Sequence, residues 1–261
     1  MRALYIAATG MSAQQFNLDV IANNLANVNT AGFKQSRAEF QDLLYQTIHA
    51  PGVQMGQNAQ LPVGSQIGLG VTSGATAIQF TQGALRTTGG NYDIAINGDG
   101  FFQILMPDGT LAYTRDGEFS VDSTGKLVTS QGYALQPEIV IPQDMQTVTI
   151  SPDGIVSVTR AGQTNPDQIG QIQLTRFINP QGLMSLGSNL YAPTQASGTP
   201  ITDVPSQSGL GTLIQGSIEG SNVNIVNEMI DLIMAQRAYE SNSKAIQTAD
   251  QMLTTANQIK Q

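Results

Sequence analysis

The chain has 261 residues, of which only 11% are charged, with a net charge of −8 and no cysteine. Binding a nucleic-acid backbone needs clustered Lys and Arg, and the 11 basic residues here are scattered. The absence of cysteine excludes a disulfide framework and a thiolate metal site, and no apolar run approaches the roughly 18 residues of a membrane-spanning helix.

An average soluble domain carries about 25% charged residues, so the polar surface here must be built from Gln, Asn, Ser and Thr. Neutral polar groups are cheaper to desolvate than charges. Such a surface suits burial against copies of the same chain, and equally an ordinary soluble protein with few charges.

In chain order, the first element is helical. Leu4, Met11, Leu18 and Leu25 recur at intervals of seven, and Ala7, Ile21 and Val28 follow at plus three, with Gln14 as the polar exception. This a/d pattern predicts a helix over residues 4–30, about 37 Å long, that must lie against another helix. Gly32 suits a left-handed C′ position, with Phe33 at C″ meeting Val28 in a Schellman motif. The apolar residues 3–8 are too short for a signal-peptide core and run on into the heptads, so an exported chain would leave without a cleaved signal.

Residues 34–50 read as a short helical or extended connector, with Phe40, Leu43, Leu44 and Ile48 on one face if helical. Pro51, Gly52, Gly56, Pro62, Gly64, Gly68 and Gly70 then punctuate a Gln-rich extended excursion. From residue 71 to about 220 the pattern is β, with strands predicted at 93–97, 101–106, 110–115, 118–121, 126–129, 133–136, 148–150, 155–159 and 171–177. Asp108-Gly109, Asp116-Gly117, Thr124-Gly125 and Asp153-Gly154 separate several of them as turns. Residues 192–212, rich in Pro, Gly, Ser and Thr, read as a return linker.

A second helix is predicted from the capping residues Asn222–Asn224 to residue 256, about 48 Å. It repeats the heptad: Ile225, Leu232, Tyr239, Ile246 and Leu253, with Ala235, Ala249 and Ala256 at plus three and Glu228 and Asn242 as exceptions. The fold class is therefore α+β. A discontinuous, coiled-coil-like domain of N- and C-terminal long helices (1–33 and 222–261) accompanies a connector (34–70) and a mainly antiparallel β domain (71–221).

Enzyme chemistry has little to stand on. The single histidine, His49, cannot build a multi-His metal site or a triad with cysteine. The Asp-Gly steps match neither the EF-hand spacing nor a Gly-rich nonapeptide pattern; turn formation explains them. No two carboxylates stand out as a hydrolytic pair. The expectation is a non-enzyme with no cofactor, no metal and no nucleic-acid partner. A secreted β-rich enzyme or adhesin with helical ends is the alternative from another class.

The residues Ala22-Asn23-Asn24-Leu25-Ala26-Asn27 and Asn29-Thr30-Ala31-Gly32-Phe33-Lys34 resemble the signature of the bacterial flagellar rod and hook family. Ser221-Asn222-Val223-Asn224, Ile233, Gln236-Arg237-Ala238-Tyr239-Glu240 and Asn242-Ser243-Lys244 are similar to its C-terminal motif. In the β region Gly98-Asp99-Gly100-Phe101-Phe102 and Tyr113-Thr114-Arg115-Asp116-Gly117 match as well. Tyr45-Gln46-Thr47-Ile48 and the stretch from Pro51 and Gly52 through Leu61-Pro62 to Gly68 resemble an insert of the distal-rod branch. A proximal rod or hook subunit is the sibling alternative.

The resemblance implies a hollow helical homopolymer acting as a drive shaft, with the terminal helices near its axis, the connector and the 51–70 stretch (Gln46, Thr47, Pro51, Gly52, Leu61 and Pro62 among them) bridging neighbouring subunits and stiffening it, and the β domain outward. It implies export through the flagellar type III apparatus into the basal body, from periplasm to outer membrane. Its partners would be other copies, proximal rod proteins, the hook protein and the P- and L-ring proteins. The motif residues Asn23, Asn24 and Asn27 are expected to hydrogen-bond between subunits, and Gln14, Glu228 and Asn242 to set intersubunit register.

Overall fold

The computed structural model describes residues 2–49, 54–56, 59–60, 64–160 and 165–259. The chain divides into two compact units, one of residues 1–26, 36–77 and 224–261, the other of residues 27–35 and 78–223.

The first unit is built on α1 (Arg2–Ala26) and α2 (Ile225–Ile259), of 25 and 35 residues. Asn224 caps α2: its Oδ1 accepts from the amides of Val226 (3.0 Å) and Asn227 (3.3 Å). The helices run antiparallel. Asn24, near the end of α1, hydrogen-bonds Glu228 at the start of α2. Gly10, near the start of α1, lies so close to Asn242 that a Cβ would sit 2.9 Å from its Nδ2. Both steps are two heptads long, so one register holds along the pair.

The same unit carries an extended ribbon instead of a helical connector. Ser36–Asp42 pairs with Val71–Ile78, Tyr45–His49 with Ser65–Gly68, and Gln54–Gly56 with Ala59–Gln60. Leu44 is 83% exposed, so the apolar residues of 34–50 do not gather on one helical face. The β pairing satisfies backbone groups that a Gly- and Pro-punctuated sequence cannot satisfy within a helix.

The second unit centres on the strand Phe101–Leu105 of a nine-stranded antiparallel sheet. Leu111–Thr114 pairs along one edge of it, with Ala112 opposite Ile104. Ala134–Gln136 and Leu174–Arg176 share the other edge. Successive side chains of a strand point to opposite faces. Phe102 accordingly joins the main core with Ile94, Ile104 and Leu174, while Phe101 joins an aromatic cluster with Tyr113, Phe177 and Tyr191. Both faces of this strand are thus covered. The returning strands Thr212–Gln215 and Ser217–Glu219 pair with Ile94–Asn97 and Leu85–Thr87.

The nine strands predicted between residues 93 and 177 all have counterparts, most ending within a residue or two. Three expectations are corrected. α1 ends at Ala26 rather than Thr30. Residues 192–212 are not solely a linker, since Ile201–Asp203 pairs with Leu174–Arg176. Asp116-Gly117 is not a hairpin turn: the strands that flank it are not sheet neighbours. Gly117 instead exchanges backbone contact with Ile94, whose amide donates to its carbonyl at 3.0 Å.

Candidate assembly surfaces and motif sites

Two heptad series make one helix pair with one face left open. In α1, Ile21 is buried and Leu4, Met11, Gln14, Leu18 and Leu25 are half-buried, as is Val28 just beyond it. In α2, Leu232 and Ile246 are half-buried, while Ile225, Tyr239 and Leu253 are exposed. The most buried positions of α2 are the plus-three ones, Glu228 and Ala235. The exceptions Glu228 and Asn242 face Asn24 and Gly10 of the same chain. The polar character of Glu228 therefore answers an intrachain neighbour, and Asn242 packs against a glycine.

Over its first ten residues α2 also carries an apolar face that stays open within the described residues. Ile225, Val226, Met229, Ile230, Ile233 and Met234 are all between 47% and 65% exposed. At 100° per residue they spread over about half the helix. A contiguous exposed apolar face of this kind is a candidate interaction surface. The heptad count missed most of it, because the series at intervals of seven follows the edge of this face. The signal was present as seven large apolar residues within the first ten positions of the helix.

The family-motif residues fall into two sites. Asn24 is 2% exposed. Its Nδ2 donates to the Ser36 carbonyl at 2.8 Å and to Glu228 Oε2 at 3.3 Å, and its Oδ1 accepts from the Ser36 amide at 2.9 Å. The amide expected to pair across subunits is thus satisfied inside its own chain. Asn23 is exposed and Asn27 half-buried, with Thr30 Oγ1 donating to Asn27 Oδ1 at 3.2 Å. Burial raises the Glu228 carboxyl above its ordinary value, against the Asn24 hydrogen bond, and Asp231 adds to the rise.

The second site lies in the β unit. Gly32 takes φ +69°, but its amide donates 2.8 Å to the Glu219 carbonyl, so no Schellman cap forms. A Cβ there would come within 2.6 Å of the Asp116 backbone nitrogen, so close backbone approach and positive φ together demand glycine. Phe33 is half-buried. Lys34 is 2% exposed. Its Nζ donates to Glu219 Oε1 at 2.6 Å and to the Thr81 carbonyl at 2.7 Å. Arg115 reaches the other oxygen of Glu219 at 3.3 Å and the Gly98 carbonyl at 2.9 Å. The Gly83 amide also donates to Glu219. Burial lowers the Lys34 ammonium from its ordinary value, and Glu219 opposes that fall.

Glu219 and Arg115 were not singled out from the sequence for this role. Their signal is a charged residue at the end of a strand in a charge-poor chain. Asn222 adds a further tie, accepting from the Gln35 amide at 2.7 Å and donating to the Gln79 carbonyl at 2.8 Å.

Gln46 and Thr47 lie in the Tyr45–His49 strand opposite Ile67 and Gln66, and Arg2 donates to Gln46 Oε1 at 2.8 Å. Pro51, Gly52, Leu61 and Pro62 lie outside the described residues. His49 is exposed. Among the described residues no group of three His, Cys, Asp or Glu is placed to hold a metal ion, and no helix is long and apolar enough to cross a membrane.

Three family models match the chain: "Flagella basal body rod protein" over residues 4–34, "Flagellar hook protein FlgE/F/G D1 domain" over 95–158, and "Flagellar basal body rod FlgEFG protein C-terminal" over 214–259. The chain is 53% identical to the flagellar basal-body rod protein FlgG of Borreliella burgdorferi, covering 100% of this chain and 99% of that one. It is 49% identical to FlgG of Caulobacter vibrioides over 100% of both, and 43% identical to FlgG of Bacillus subtilis over 97% of both. The Helicobacter pylori hook protein FlgE2 aligns with 71% of this chain and 43% of its own at 13% identity and a TM-score of 0.25, a likeness too slight to bear on the fold. Full-length identity near one half, with motifs matched at both ends and in the middle, places the chain in the flagellar basal-body rod protein family.

Proposed function

We propose that this chain is a structural, non-enzymatic subunit of the flagellar distal rod, polymerising into a rigid hollow shaft that transmits torque from motor to hook. The observation that carries the proposal is the open apolar face of α2, formed by Ile225, Val226, Met229, Ile230, Ile233 and Met234. Removing a large apolar side chain from water contributes about 1.5–3 kcal/mol, so repeated contacts of this kind sustain a polymer. Full-length identity to proteins named as basal-body rod proteins supports the same reading.

In this reading the helical segments 1–33 and 222–261 form the inner tube around a channel through which export substrates pass. Leu4, Met11, Leu18, Ile21, Leu25 and Val28 pack there with Ile225, Leu232, Tyr239, Ile246 and Leu253. Residues 34–70 bridge neighbouring copies, and Gln46, Thr47, Pro51, Gly52, Leu61 and Pro62 stiffen the shaft. The β domain, 71–221, faces outward. The chain reaches its place through the type III export apparatus and spans periplasm to outer membrane. It meets proximal rod proteins, the hook protein and the P- and L-ring proteins.

Replacing Ile230 and Ile233 together with Asp is expected to abolish polymerisation and swimming while leaving the unfolding of the β unit unchanged. Normal motility in that variant overturns the assembly reading. Deleting residues 46–64 tests the distal-rod assignment separately: the shaft should become flexible, and an unchanged rigid rod counts against it.

A further inference from the structure

A cavity of about 440 Å³ in the β unit is lined by Phe80, Phe101 and Phe177 together with Asp99, Arg115 and Arg176. The rings pack edge to face, with centroids 5.3 Å apart for Phe80–Phe101 and 5.8 Å for Phe101–Phe177. The Arg115 guanidinium lies 5.3 Å from the Phe101 centroid. The wall is therefore apolar, rigid and already in contact with a cation.

The charges do not cancel. Lys34 and Arg115 are held by Glu219, and Asp99 adds a second negative charge near Arg115. These four balance. Arg176 has no hydrogen-bonding or ion-pairing partner for its guanidinium among the described residues, so it leaves one uncompensated positive charge at the cavity. Arg115 adds a donor, since its Nε is buried without a hydrogen-bond partner. A buried unsatisfied donor is costly and rare, and a ligand acceptor would satisfy it.

We propose that this cavity binds a carboxylate carried on an apolar or aromatic body. Arg176 pairs with the carboxylate through its planar fork, Arg115 Nε is the second donor, and the phenylalanines hold the body. One uncompensated cation suits a monoanion. A phosphate dianion would be repelled by Asp99 and poorly served by the aromatic wall. The carboxylate has two possible sources, a free small acid or an Asp or Glu beside an apolar residue on another copy of this chain, which carries 19 acidic residues.

The test is calorimetric titration of phenylacetate into the full chain, with phenylacetamide as the neutral analogue. Saturable one-site binding is expected, weakened about tenfold or more by Arg176→Gln at unchanged unfolding temperature, and only partly retained by Arg176→Lys, which keeps the charge but not the planar fork. Phenylacetamide should bind at least as weakly as phenylacetate binds that glutamine variant. Absence of saturable phenylacetate binding, equal affinity for the amide, undiminished binding by the glutamine variant, or equally strong competition by inorganic phosphate would each overturn the proposal. Polymerisation distinguishes the sources. If another copy supplies the carboxylate, both excess phenylacetate and Arg176→Gln slow assembly. If a free acid is the ligand, neither does, while the binding loss remains.

Discussion

The β unit and the helical unit solve the problem of apolar surface in opposite ways. In the β unit, Phe101 and Phe102 are adjacent in sequence, point to opposite faces and are both buried, so each face of the central strand is covered within one chain. In α2 one side meets α1 and about half the circumference stays open. The β unit completes its core alone, and the helical unit leaves apolar surface uncovered. Charge follows the same division. The β unit buries a closed cluster of Lys34, Arg115 and Glu219, whereas the buried polar pair of the helices, Asn24 and Glu228, joins one helix to the other.

The strongest test of this contrast is Glu219→Gln. It leaves Lys34 and Arg115 buried without their carboxylate, and breaking a buried ion network of this kind costs about 3–5 kcal/mol. Urea unfolding should show that loss in the β unit, whereas a drop below about 1 kcal/mol would mean the cluster relaxes into water.

Asn24→Ala should be smaller, about 1–3 kcal/mol, because it strips partners from the Ser36 backbone and from Glu228. The expected signature is faster amide exchange at Ser36 and along the α1–α2 pair. Unchanged exchange there would show that the buried amide does not join the helices.

The smallest effect is stabilising. Burial, foremost, raises the Asp116 carboxyl from 3.8 to about 6, helped by the Glu118 and Asp93 carboxylates and opposed by a hydrogen bond from the Glu118 amide. A folded-state value above the unfolded one means that folding takes up a proton between them. Stability therefore falls as pH rises from 3.8 to about 6, and the full cost is carried above that. Asp116→Asn keeps the acceptor and removes the charge. At about 1.4 kcal/mol per unit, and discounted for the partial solvent exposure of Asp116, it should raise stability at pH 7 by about 1–2 kcal/mol and flatten the pH profile of thermal unfolding across that window. An unaltered profile would assign the pH dependence to other carboxylates.

Much of the architecture was legible from local pattern. Strands between residues 93 and 177 announced themselves by alternation and Asp-Gly turns, because side-chain period and turn chemistry are local properties. The heptads of α1 and α2 were legible for the same reason. The strands Ser36–Asp42, Tyr45–His49 and Val71–Ile78 were less so, since they lie largely open to solvent and lack a clear apolar alternation. The end of α1 was misplaced because Gly32 looks like a helix stop, whereas its φ serves a close approach to Asp116.

The sequence by itself determined the two terminal helices and the strands between residues 93 and 177, that both ends carry apolar stripes, and the signatures by which the family is recognised. Only the tertiary structure decided what the motif residues do. Lys34 meets a carboxylate 185 positions away, and Asn24 meets one 204 away. No local period encodes pairings of that span. They arise when strand register and antiparallel helix packing bring distant side chains into a dry interior, where an unpaired polar group is too costly to leave.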